Sequence, residues 1–269
     1  MKFGCVLSSF DARDYTLNQK VCAAQSLPES YECTLTPLVR NQRSVSSCTA
    51  HAMCSILEQH ADPREILSTN FIYGIRKELF NSQGEGMSLR DACKIAQNYG
   101  DMTDDDCPGN DEVPNCYEKA EKAFNDATKL ETAGKYRISK YFKCNSKEDI
   151  KYALYNYGPV LASMKWYSTY HANMDGVLDA DKSGSSGYHA IMIYGYTPDG
   201  FWCQNSYGRS WGKGGRFFVP NSLGFREAIG IVDWNGTDKL KEPNTDGIKN
   251  TLYKLFNSII NFIRSLVTK

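Results

Sequence analysis

The chain has 269 residues, 41% of them hydrophobic and 23% charged, with 31 basic and 31 acidic side chains. That length builds one large domain or two smaller lobes, and a formal net charge of zero excludes a global field that would draw nucleic acid. Ten cysteines are too dilute for a disulfide scaffold, and four histidines with no C-x-x-C pair leave no basis for a structural zinc site.

Residues 1–26 read as irregular and polar, with Asp11-Ala12-Arg13-Asp14-Tyr15 their compact feature. The stretch from Met1 to Phe10 is too short to be a signal peptide, and no run approaches the ~18 apolar residues of a membrane span. Loop and short extended segments follow to Ser47, punctuated by Pro28 and Pro37. Apolar spacing then predicts helices over 48–60, 68–80 and 88–99, the last stopped by Gly100. Residues 101–116 form an acidic loop without calcium-loop spacing, in which Cys107 and Cys116 are placed for a local disulfide. A charged helix is expected over 117–132.

After Gly134 the pattern changes. Residues 136–142 alternate like a strand and 147–157 read as a helix. Strands are expected at 160–166, 189–196, 201–204 and 215–219. A helix-rich half followed by a strand-rich half predicts an α+β protein of two lobes, with any shared site in the cleft between them. Residues 235–247 read as a polar linker. Residues 248–269 form a basic amphipathic helix with four basic side chains and no acidic one, suited to a protein partner or a membrane surface.

The chemistry concentrates at Cys48. It stands after the small polar run Val45-Ser46-Ser47, at the predicted start of a helix. A helix N-terminus carries about half a positive charge and unpaired N–H groups, which favour thiolate, the attacking form of cysteine. Gln42, six residues earlier, can donate a side-chain N–H to the oxyanion that such an attack creates. On this run alone a buried structural cysteine explains the position equally well.

A nucleophilic cysteine needs a base, and the base an orienting partner. His51 lies one turn along the same helix, His60 near its far end, and His171 in a loop. His189 instead opens a predicted strand, and Asn205 ends the neighbouring one sixteen residues later. Antiparallel pairing brings the two together, so that the Asn205 amide oxygen accepts from the imidazole. Tyr207 and Trp211 follow and can shield that bond from water.

These blocks resemble the papain-like (C1) cysteine peptidases: Gln42 to Ala52, Gly158-Pro159-Val160, and His189 to Gly212. The resemblance spans roughly 27–234. It implies a helical left lobe, an antiparallel β-barrel-like right lobe, and Cys48 and His189 facing each other across the cleft. It further implies endopeptidase cleavage of polypeptide substrates through a thioester, with no cofactor and no metal. Asn205 would orient His189, and Gln42 with the Cys48 backbone N–H would hold the oxyanion. The base of the main specificity pocket falls at Asp233 or Trp234.

The chain departs from the family around its nucleophile, where Val45, Ser46 and Thr49 replace the usual cysteine, glycine and aromatic residue. Those changes leave room for a weak or inactive peptide-binding relative, or for an isopeptidase or acyltransferase using the same groups. About 26 residues precede Leu27, and they are expected to lie in or near the cleft and restrain activity. With Asp11–Tyr15, this short segment resembles bacterial and large-DNA-virus members; with no signal peptide or membrane span read in the sequence, the protein is expected inside a cell or in a virion. No histidine lies between His60 and His171, so the occluding loop of carboxydipeptidase relatives is not expected.

Overall fold

The computed structural model describes residues 3–11, 14–16, 25–34, 38–61, 65–80, 84–109, 115–173, 175–179 and 181–234. The expected linker 235–247 and amphipathic helix 248–269 lie outside the described residues. Among the described residues no helix is long and apolar enough to cross a membrane.

Six helices are described: α1 (Cys48–His60), α2 (Thr69–Phe80), α3 (Leu89–Asn98), α4 (Asn115–Phe124), α5 (Ala127–Ala133) and α6 (Lys147–Tyr157). The single charged helix expected over 117–132 is two helices. Asp126 breaks it, because its carboxylate accepts from the Thr128 and Lys129 N–H groups and so caps the second. Ser146 and Asp149 form a reciprocal capping box at the start of α6. Ser88 caps α3 by accepting from Asp91 N at 3.1 Å.

The strands are β1 (Cys5–Val6), β2 (Tyr31–Glu32), β3 (Met87–Ser88), β4 (Ile138–Lys143), β5 (Val160–Tyr167), β6 (Ser186–Thr197), β7 (Gly200–Gln204), β8 (Arg216–Pro220) and β9 (Glu227–Trp234). They form one mixed sheet with the path β3-β1-β6-β5-β9-β4, and β7 joins β6 to β8. The path does not close on itself, so the right lobe is an open, barrel-like sheet.

Two apolar cores result. One gathers α1, α2, α3 and α4 around residues such as Met53, Leu57, Phe71 and Ile95. The other lies within the sheet and under α6, around Trp166, Ile193, Phe201 and Phe217. α1 packs on β6 between them, which brings the start of the helix against the strand that carries His189.

The N-terminal segment is not irregular throughout. β1 pairs parallel with β3 and antiparallel with β6, setting Cys5 opposite both Met87 and Tyr188. It thus joins a strand at the edge of the helical lobe to the central strand of the sheet. The Cys107–Cys116 disulfide does not form: Cys107 carries a free, buried thiol, and its carbonyl accepts from the Ser68 hydroxyl.

Candidate active site

Cys48 is the first residue of α1 and is fully buried. Its Sγ accepts from the Ala190 N–H at 3.5 Å. The Gly4 N–H of the N-terminal segment also hydrogen-bonds the thiol, and the Thr49 hydroxyl, which donates to Met87 O, lies against it. Burial pushes the Cys48 thiol above its ordinary pKa, and these donors only partly offset it.

His189 sits inside β6, three residues after its start, and is also fully buried. Its Nε2 donates to Asn205 Oδ1 at 2.8 Å, and that oxygen also accepts from the Ser206 N–H at 2.8 Å. The β6–β7 pairing that ends at Met192 opposite Gln204 carries Asn205 to this place. Burial lowers the His189 pKa to about 4, against the smaller upward pull of Asn205. Both shifts favour the neutral thiol and imidazole while the site is covered.

The aromatic surround is larger than the sequence suggested. Tyr207 stacks on His189 with ring centroids 4.9 Å apart, and its hydroxyl lies 3.5 Å from Nδ1. Trp211 meets Tyr207 edge-on at 5.7 Å. Trp166, from β5, stands 4.8 Å from the imidazole and touches Tyr207, Trp211 and Phe217 as well. The signal available for Trp166 was its place one residue from the end of β5, a strand that pairs with β6 in antiparallel register.

Gln42 is fully buried, and its amide is held at both ends. Nε2 donates to Val45 O at 2.8 Å, while Oε1 accepts from the Ser206 hydroxyl at 2.6 Å. Gln42 N also donates to Ser206 O at 2.8 Å. The loop that delivers Cys48 is thereby pinned to the loop that follows Asn205. Arg43, just after Gln42, is the one non-glycine residue with positive φ among those described (51°), the local cost of turning the chain into α1.

The structure therefore gathers Gln42, Cys48, His189, Asn205, Tyr207 and Trp211 as the sequence grouped them. It does not bring the expected specificity residues to the site. Asp233 and Trp234 end β9, where Trp234 pairs with Ile138 at the far side of the sheet. Seven residues of strand span about 23 Å, and the residue that β9 places beside the catalytic strands is Glu227, opposite Ser163. His51 is spent within α1, where Nδ1 contacts the Ser47 hydroxyl and carbonyl at 3.2 and 3.0 Å. Among the described residues no group of three or more histidine, cysteine and acidic side chains could hold a metal ion.

The N-terminal segment covers this cleft. Ser8 N donates to both carboxylate oxygens of Glu227 at 3.2 and 3.1 Å. Arg90 of α3 binds the Asp14 carboxylate through Nε and Nη2, and its Nη1 donates to Ser9 O at 2.6 Å. Lys143 N donates to Tyr15 O at 2.8 Å. Each wall of the cleft holds the segment by at least one charged side chain.

Comparison with known proteins bears on the family and the fold. Residues 27–226 match the sequence model described as "Papain family cysteine protease". The chain is 22% identical over 229 residues to cathepsin B-like cysteine proteinase 3 of Caenorhabditis elegans, covering 72% of this chain and 62% of that one. It is 25% identical over 230 residues to a cysteine protease of Blomia tropicalis, covering 76% of this chain and 65% of that one. The chain thus spans less than two thirds of the length of either relative. In fold it is similar to xylellain, a cysteine protease from Xylella fastidiosa, with a TM-score of 0.71 at 20% identity over 85% of this chain and 95% of that one. Procathepsin B S9 of Trypanosoma congolense superposes with a TM-score of 0.67 at 16% identity over 86% of this chain and 87% of that one. With its matched region covering most of the sequence, the chain belongs to the papain family of cysteine proteases.

Proposed function

We propose that the protein is a cysteine endopeptidase that hydrolyses polypeptides through Cys48, His189 and Asn205. The observation that carries this reading is the buried His189–Asn205 bond at 2.8 Å beside a cysteine at a helix N-terminus. The Cys48 thiolate, paired with His189 imidazolium, attacks the carbonyl carbon of the scissile bond. The oxyanion meets the Cys48 backbone N–H and the amide of Gln42, a role worth about 2.7–4 kcal/mol per donor. His189 then gives its proton to the leaving amine, and a thioester remains on Cys48. Water adds to that thioester with His189 as base, releasing the acid and the thiol. Asn205 holds the imidazole by Nε2 throughout, which leaves Nδ1 for the proton transfers.

Residues 1–26 act in this reading as a restraining segment. While Gly4 donates to the thiol and Ser8 to Glu227, substrate has no access and the ion pair is disfavoured by burial. Removing the segment rehydrates both groups and lets the thiolate–imidazolium pair form. In the test, Cys48→Ala abolishes both peptide turnover and covalent labelling by an epoxysuccinyl thiol inhibitor. Labelling that persists in the Cys48→Ala protein would sink the assignment. Deleting residues 1–26 raises turnover, and unchanged turnover removes their restraining role.

A further inference from the structure

The residue that meets a substrate side chain in this cleft is identified by a row across the sheet. Ala190, whose N–H touches the Cys48 sulfur, pairs with Ser163 on β5, and Ser163 pairs with Glu227 on β9. Residues directly opposite on neighbouring strands point to the same face. Cys5 lies against Ser163 and Glu227 and within electrostatic reach of Cys48 as well, so this face is the thiol side of the sheet, and Glu227 stands two strand spacings from Ala190, roughly 10 Å.

The slot along this row is filled by the segment. Cys5, 8% exposed, projects among Thr49, Ser163 and Glu227 and lies within electrostatic reach of Cys48. The Ser163 hydroxyl is fully buried and has no nitrogen or oxygen partner. The Glu227 carboxylate has one described protein donor, the Ser8 N–H, and that donor leaves with the segment. Arg90 and Lys143 share a small cavity with Glu227, Ser8 and Asp14, where Arg90 is bound to Asp14 and Ser9 O. The covered state thus gives the carboxylate a donor and the arginine an acceptor, and two acceptors, Ser163 Oγ and the Glu227 carboxylate, line the slot that Cys5 fills.

We propose that Glu227 is the specificity-determining residue of the cleft and selects peptides that place a lysine or arginine side chain in the slot now held by Cys5. This rests on the peptidase reading and names its substrate class. A long cationic side chain anchored near Ala190 covers the distance to Glu227, and its ammonium or guanidinium replaces the Ser8 N–H. Segment and basic substrate compete for the same carboxylate. An acidic side chain in the slot would face Glu227 with like charge.

The test compares the intact 269-residue chain and its Glu227→Gln variant on a peptide library that varies each position on the acyl side of the scissile bond. The wild-type chain should prefer Lys or Arg to Leu at one position by roughly tenfold or more in kcat/KM, the worth of a charge-assisted bond. In Glu227→Gln the ratio should fall to about one while Leu peptides are still cleaved, and Glu227→Asp should keep the basic preference. The ratio is unaffected by how far the segment has opened, because both peptides meet the same open fraction. A wild-type preference for Leu, or a basic preference that survives Glu227→Gln, overturns the proposal and leaves the peptidase reading standing. A chain that cleaves no peptide and takes no thiol label, both with residues 1–26 in place and with them deleted, overturns both.

Discussion

Gly4→Ala is the smallest perturbation that separates a covered site from an open one. A Cβ at Gly4 would stand 2.1 Å from Ser46 O, 2.3 Å from its carbonyl carbon and 2.8 Å from its Cα. These are backbone atoms of the turn that delivers Cys48, so no side chain can swing aside to make room. The segment must lift instead. Lifting it forfeits the Met87 N–H bond to Gly4 O at 2.9 Å and the Gly4 N–H contact with the thiol. At about 0.5–1.5 kcal/mol for each bond, the open form gains about 1–3 kcal/mol. That is roughly 5- to 150-fold in the accessible fraction. The assay is the second-order rate of Cys48 labelling by an epoxysuccinyl inhibitor, which follows the open fraction when the segment opens and closes quickly. Gly4 carries no catalytic group, so the chain lacking residues 1–26 sets the ceiling for this rate. A Gly4→Ala chain that labels at the wild-type rate, with the deletion labelling faster, would refute this account of how the segment is seated.

Two further outcomes follow from the same geometry. Asn205→Ala strands two buried donors, His189 Nε2 and Ser206 N. At about 1–3 kcal/mol each, it should lower the melting temperature by several degrees and cut turnover while leaving Cys48 labelling detectable; an unchanged melting curve would contradict the bond network. The pH dependence of opening should be weak. In the covered site His189 is neutral above about 4 and Cys48 is held as thiol, whereas the open site holds imidazolium and thiolate, so each form binds one proton and stability does not change with pH while both persist. The labelling rate of the intact chain, divided by that of the chain lacking residues 1–26, should therefore stay flat from pH 6.5 to about 5, above the range where such a paired thiolate protonates, and a ratio that rises over this range would count against the ion pair as the open form.

Much of the site was legible because its signals are local. Gln42 and Cys48 share one turn and one helix start, and His189 and Asn205 sit on a hairpin whose register follows from strand lengths. The helix boundaries 48–60 and 147–157 came from apolar spacing alone. Trp166 was less accessible, because nothing in a strand of buried residues marks the one that faces an imidazole. The expected specificity position, Asp233 or Trp234, falls at the other end of β9 from Glu227. Glu227 reads in sequence as a charged residue after a turn, and only the β5–β9 register brings it opposite Ser163. β1 was hidden for the same reason. Two residues give no periodicity, and the strand exists because β3 and β6 offer it partners on both sides.

The unusual neighbours of Cys48 acquire a common explanation once β1 is in place. Ser46 presents the backbone carbonyl against which Gly4 packs, at a distance only glycine tolerates. Val45 is buried and its carbonyl accepts from Gln42, so the turn keeps its shape without the usual disulfide partner. Thr49 is a fully buried polar residue whose hydroxyl donates to Met87 O at 2.9 Å. That bond ties the first turn of α1 to β3, the strand on which β1 docks, and places the same hydroxyl against the thiols of Cys5 and Cys48. A large aromatic ring at position 49 would occupy the space that Cys5 fills. Two of the departures from the family pattern, Ser46 and Thr49, thus fall on surfaces that receive the segment, while Gln42, Cys48, His189 and Asn205 are all present. Sequence change at a nucleophile is commonly taken as a sign of lost activity; here its location argues for a nucleophile adapted to being covered.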